Sequence, residues 1–168
     1  TAANTDGSIN STVSANTTNG FSIVKYTGTG SGQSNVTIGH GLGAVPKVIL
    51  FKQLDTGSWI VYHHTIGKDK YLVLDTTAAE ANATGICNPT STNIVLETSY
   101  GGTNSTAGMI AYCFSEKQGY RKFSSYTGNG SADGTFVYLG FKPAFVLRKY
   151  TTGGTAGGEG WEMLDGTR

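Results

Sequence analysis

The chain has 168 residues, a net charge of +1 and no Lys/Arg cluster beyond the pairs Arg121-Lys122 and Arg148-Lys149. That excludes an electrostatic footprint for nucleic acid, which needs several neutralised phosphates. No run approaches the eighteen consecutive apolar residues that would insert a helix in a membrane. Glycine is abundant, at 25 residues against a usual share of ~7%, and only 14% of the chain is charged where ~25% is ordinary. A surface of hydroxyls and amides is the expected result.

Residues 1–19 are small and polar without periodicity and are expected to form an extended lead-in or linker. Short apolar or alternating runs then follow, separated by Gly/Asn/Asp turns. Strands are expected at roughly 21–27, 35–38, 47–53, 59–64, 70–75, 93–97, 108–115, 120–126, 135–139, 144–150 and 160–164. These runs are rich in Val, Ile, Tyr, Phe and Thr, which suit a pleated, half-buried surface. The best helical candidate, 76–82, is only about two turns long, and Gly85 and Pro89 follow it. The fold class expected is all-β, a β-sandwich of jelly-roll-like type with essentially no long helix.

The chain also says something twice. Gly20-Phe21-Ser22-Ile23-Val24-Lys25-Tyr26-Thr27-Gly28-Thr29-Gly30 returns as Gly119-Tyr120-Arg121-Lys122-Phe123-Ser124-Ser125-Tyr126-Thr127-Gly128-Asn129-Gly130. Pro46 leads into the apolar run 47–52, as Pro143 leads into 144–149. Each run precedes one of the two tryptophans, Trp59 and Trp161. The same order of features implies a duplicated unit: a first β unit at 20–118 and a second, truncated copy at 119–168 packing into the same domain. The second copy ends soon after Trp161. The expectation is that the chain is a piece of something longer; either the fold closes at that point, or its completing strands were lost or come from another chain. An unpaired edge of this kind serves subunit exchange and oligomers.

Candidate chemistry is sparse. Gly39-His40-Gly41-Leu42-Gly43-Ala44 matches a dinucleotide fingerprint. However, Val45-Pro46 and a strand follow it, where that site needs a helix N-terminus; a turn is expected and no cofactor. His63 and His64 are adjacent on an expected strand, so they should point to opposite faces. No Cys/His spacing suits zinc, and no metal is expected; a metal shared by copies of these histidines around a trimer axis is the alternative. The eleven carboxylates are scattered, and no nucleophile elbow or calcium loop exists, so no catalytic residue is expected and the protein is not expected to be an enzyme. Cys87 and Cys113 are expected as two reduced thiols, a single bridge being the alternative. Six N-x-S/T sequons occur, at Asn10, Asn16, Asn35, Asn82, Asn104 and Asn129. Trp59 and Trp161 have two readings. As equivalent residues of a repeat they would fill equivalent core positions; as exposed aromatics they would be a platform for a sugar ring.

The segments 20–30, 39–46 and Ser58-Trp59-Ile60-Val61-Tyr62-His63, with Ala111-Tyr112-Cys113-Phe114, the run 125–134, Gly140-Phe141-Lys142-Pro143-Ala144-Phe145-Val146-Leu147 and Trp161-Glu162-Met163-Leu164-Asp165, resemble a duplicated β-domain of tailed phages of marine bacteria. The resemblance covers about residues 14–168. In that group the domain belongs to large virion proteins of the tail-fibre or appendage type. The resemblance implies location on the virion surface, other virion proteins as partners, and self-association, a trimer in the usual fibre setting. It implies no catalytic residues. The expected function is a structural virion domain taking part in recognition of a bacterial surface glycan or protein. A capsid-decoration or adaptor domain and a stand-alone carbohydrate-binding module are the alternatives. The turns Gly28–Ser34, Gly101–Thr106 and Thr151–Gly160 are the candidate recognition loops.

Overall fold

The computed structural model describes residues 1–30, 33–152 and 160–166. Among them the only regular structure is β. Thirteen strands follow in chain order: β1 Ala2–Asn4, β2 Ser11–Asn16, β3 Phe21–Thr27, β4 Val36–Gly39, β5 Val48–Gln53, β6 Ile60–His63, β7 Lys70–Val73, β8 Ala81–Asn82, β9 Asn88–Pro89, β10 Asn93–Leu96, β11 Gly108–Phe114, β12 Phe145–Lys149 and β13 Trp161–Asp165. Eight of them form one sheet in the order β1-β2-β3-β11-β5-β6-β7-β8. A small sheet, β4-β10-β9, packs on one face of it, and β12-β13 is a separate hairpin. All the named pairings are antiparallel.

Alternation in the sequence decides which face each side chain takes. In β3, Ser22, Val24 and Tyr26 are buried while Lys25 is exposed. In β11, Met109, Ala111 and Cys113 are buried and Ile110, Tyr112 and Phe114 turn to the other face. The inward set joins Ile49, Phe51 and Ile60 of the large sheet to Val36, Ile38, Ile94 and Leu96 of the small one, a single core closed by Leu42 and Ile86. Burial of about twenty apolar residues between two sheets is the main stabilising term, at roughly 1.5–3 kcal/mol per large side chain.

Polar groups that share this core at the β3 and β11 ends are partnered. The Tyr26 hydroxyl donates to the Thr103 carbonyl at 2.6 Å. The Asn104 Oδ1 accepts from the Thr29 backbone at 2.8 Å, and its Nδ2 donates to the Thr29 hydroxyl at 3.0 Å. Gly28 is required at this contact, because a Cβ there would lie 2.3 Å from the Ser105 carbonyl oxygen. The turn after β3 and the turn before β11 are thereby locked together. Asn104 is fully buried, so its sequon is closed to glycosylation in the folded chain.

Three expectations about elements change. Residues 1–19 are not a linker: β1 and β2 extend the large sheet, and Ile9 bridges to Ile38 of the small one. The sequence hid this because the strand-forming side chains are Ser, Thr, Ala and Asn, with Ile9, Ser11 and Val13 the inward residues. Residues 76–82 form no helix; Thr76 Oγ accepts the Ala78 amide, a local side-chain bond that competes with helical pairing, and 81–82 pairs with β7. Residues 120–126 and 135–139 carry strand-like alternation yet are not strands. No other strand lies beside either segment among the described residues, and an unpaired strand has no ladder to hold it. No helix of the described residues is long and apolar enough to cross a membrane.

Candidate functional site

The outer face of the large sheet, turned away from the small sheet, is where aromatic side chains collect. Two neighbouring groups form there. In the first, Trp59, just before β6, stacks on Tyr112 of β11 with ring centroids 5.9 Å apart and planes at 30°. Its backbone amide donates to Asp75 Oδ1 at 3.2 Å, which fixes the approach of the chain to β6. Both rings are half-buried. A paired aromatic surface on a rigid sheet suits the apolar face of a sugar ring or a flat peptide group.

The second group joins Phe21, Phe114 and Phe123 around Arg121. Phe21 and Phe114 lie 4.9 Å apart, and Phe123 meets Phe114 edge-on at 6.4 Å. The guanidinium of Arg121 sits 5.4 Å from the Phe114 centroid and 5.7 Å from that of Phe123. It donates to the carbonyls of Ser115, Gly20 and Asn19 at 2.6–3.1 Å. Its Nε and Nη2 donors are turned inward, on backbone that β2, β3 and β11 leave at their ends. The group holds the chain after β11 against the sheet.

Trp161 stands elsewhere than its sequence counterpart. It packs on the outer-face cluster of Val48, Val61 and Leu72, and its indole N–H donates to the Val73 carbonyl at 2.9 Å. Neither tryptophan enters the core between the sheets. Trp59 is at the surface of the sheet, and Trp161 is the peg that pins the β12-β13 hairpin to it.

The histidines correct a sequence expectation. His63 and His64 do not diverge: their rings stack at 5.3 Å. The reason is that β6 ends at His63, so His64 lies in a turn where strand alternation no longer applies. His64 Nε2 bonds the Phe123 carbonyl at 3.1 Å, and His63 Nδ1 pairs with the Thr65 hydroxyl at 2.8 Å. Burial, reinforced by the His64 ring, pulls the His63 pKa from 6.5 to about 4, against a smaller opposing pull from Glu116. His40 is fully buried and its pKa is lowered by that burial. No group of three or more His, Cys, Asp or Glu with the geometry of a metal site occurs among the described residues.

Cys87 and Cys113 are free, buried thiols of the core. Burial raises both pKa values, that of Cys113 to about 12, so neither is a nucleophile in the folded chain. Two open, shallow concavities mark the surface of the described residues. One lies along β1 and β2, the other along 136–143. Of the expected recognition loops, 28–30 and 101–106 meet through the Thr29–Asn104 contact, while 31–32 and 153–159, with Glu159, lie outside the described residues.

Sequence reasoning singled out Trp59 but missed Tyr112 as its partner. The signal was present in the alternation of 108–114, which puts Tyr112 on the face opposite Met109 and Cys113. What it lacked was the strand order that sets β11 beside β5 and brings Trp59 within reach.

The chain belongs to the family described as domain of unknown function DUF7483, whose model matches residues 1–168. No curated protein and no solved structure matches it.

Proposed function

We propose that this DUF7483 domain is a structural and recognition module of a tailed-phage virion, of the tail-fibre or appendage type. It presents the outer face of its large sheet to a bacterial surface glycan or protein. The observation that carries this reading is the Trp59–Tyr112 stack, two large rings held on a rigid sheet where packing of the core does not require them. The resemblance to virion domains supplies the setting. A surface poor in charge suits it, since ion pairs weaken with salt while apolar burial does not. Association into a trimer multiplies weak single-site contacts, and light scattering of the purified chain reports that state directly.

Binding of the chain to intact bacteria and to a glycan array tests the reading. Trp59→Ala and Tyr112→Ala are each expected to weaken binding about 10-fold, equivalent to ~1.4 kcal/mol of stacking, while leaving the circular dichroism spectrum unchanged. Undiminished binding by both variants would remove the stack as the recognition surface. A capsid-decoration or adaptor role would then be the better reading.

A further inference from the structure

The pairing register of the large sheet decides which side chains share the outer face with Trp59 and Tyr112. Tyr112 on β11 lies opposite Ile23 on β3 and Leu50 on β5. Two residues earlier on the same face, Ile110 lies opposite Lys25 on one side and Lys52 on the other. Phe51 pairs with Ile60, so the register carries Trp59, the residue before Ile60, beside Lys52, the residue after Phe51. The aromatic stack is therefore bordered on its Ile110 side by two lysines, one on each flank of β11. Diagonal neighbours on adjacent antiparallel strands sit roughly 7–8 Å apart. Lys25 is such a neighbour of Tyr112, so its head group can reach a molecule lying on that ring.

The two lysines are not equivalent. Lys52 Nζ donates to the carbonyls of Gln53 at 2.6 Å and Thr56 at 3.2 Å, and the carboxylate of Asp55 is near enough to feel its charge. Lys25 is exposed and makes no hydrogen bond or ion pair with any described residue. An acidic group stands at the other end of the stack, where Asp75 accepts the Trp59 amide beyond the end of β7. β3 and β7 lie on opposite sides of β11, β5 and β6. The surface is thus apolar in the middle, cationic towards β3 and acidic towards β7.

We propose that the occupant of this surface is a uronic acid residue of an acidic bacterial polysaccharide, its ring lying on the Trp59–Tyr112 stack and its carboxylate meeting Lys25. The inference rests on the recognition reading above and names the class of ligand. A pyranose ring turns its C–H bonds towards an aromatic face, and a uronic acid carries its carboxylate outward from the ring edge. That group then projects along the sheet, at the level a lysine head reaches, and forms a charge-assisted bond. The polarity of the surface fixes the orientation. Sugar hydroxyls suit the Asp75 end, where a carboxylate accepts their protons and would repel a second carboxylate. A neutral sugar leaves the Lys25 charge without a partner, and an acidic peptide lacks the rigid apolar ring face that the stack offers.

The test titrates the whole chain with polygalacturonate, and with the same polymer after its carboxyls have been reduced to primary alcohols. The acidic polymer is expected to bind about 5-fold more tightly, the worth of one exposed ion pair. That margin should vanish in Lys25→Gln and return in Lys25→Arg, both at an exposed position where the fold is not at stake. Trp59→Ala is expected to weaken both polymers about 10-fold. Equal affinity for the two polymers, no binding of either, or an acidic polymer indifferent to Lys25→Gln overturns the uronic acid assignment. Poly-glutamate bound as tightly as polygalacturonate also overturns it, since charge without a ring would then suffice. In each of these cases the recognition reading still stands if Trp59→Ala weakens binding to bacteria. If Trp59→Ala affects neither polymer nor bacteria, that reading falls and the assignment falls with it.

Discussion

Phe51→Ala is expected to destabilise the protein by about 3–5 kcal/mol, the cost of deleting a large aromatic from a core that cannot collapse around the space. Phe51 is fully buried at the centre of the large sheet, flanked by Ala111 on β11 and Ile60 on β6 and facing the small sheet's apolar residues. Urea titration measures the loss directly. In a domain of this size it corresponds to a fall in Tm of roughly 10–15 °C. Phe145→Ala is the matched control: the same ring is removed, but from an exposed position on the hairpin, where about 0.5 kcal/mol or less is expected. Equal losses at the two sites would contradict a core confined between the two sheets.

Acid is expected to destabilise the fold through His63 before the carboxylates matter. In the unfolded chain this imidazole takes up a proton near pH 6.5; in the folded chain burial and the His64 ring hold it neutral down to about 4. Stability is therefore fully present above pH 6.5 and is lost as pH falls towards 4, by about 3 kcal/mol in all. His40, also buried with a lowered pKa, acts in the same direction. His63→Asn should flatten this limb by about 3 kcal/mol relative to the parent when urea stability is measured from pH 7 to pH 4. A variant that keeps the parent's full slope would show that another group is responsible.

How far the sequence anticipated this structure depends on whether a segment's own pattern or its neighbours decide its conformation. β3 alternates and β5 and β11 are continuous apolar runs, and the structure places strands where those patterns say. β1 and β2 were illegible for the opposite reason. Their side chains are small and polar, and what makes them strands is the ladder that β3 offers β2 and β2 in turn offers β1, information held in other segments. The segments 120–126 and 135–139 show the reverse error. Phe136, Val137, Tyr138 and Leu139 read as a strand, yet Phe136 is 88% exposed in irregular chain, because pattern cannot supply a missing partner. At the candidate site, Trp59 was visible as one of two tryptophans, but its different environment from Trp161 was not. The stack with Tyr112 arises from strand order, and the docking of Trp161 from the path of a hairpin that is not part of the sandwich. His64 was misjudged by one residue of strand length.

The strand order also has a mechanical consequence when the chain is pulled from its two ends. Tension on the N-terminus meets β1 first, at the sheet's edge, where hydrogen bonds open one after another like a zip. Once β1 has peeled, the load passes to β2 at its Ser11 end, while tension arriving beyond Phe114 pulls on β11 at the opposite end of the sheet. Between those points the ladders of β2, β3 and β11 are loaded lengthwise, in shear, so that their bonds must fail together. Single-molecule extension should accordingly show a weak early release of a few residues followed by one high-force event. A single low-force rupture would mean that the sheet is not loaded in this way. With the early release, the thin first strand serves as a yield point that lets out slack before the sandwich itself is strained.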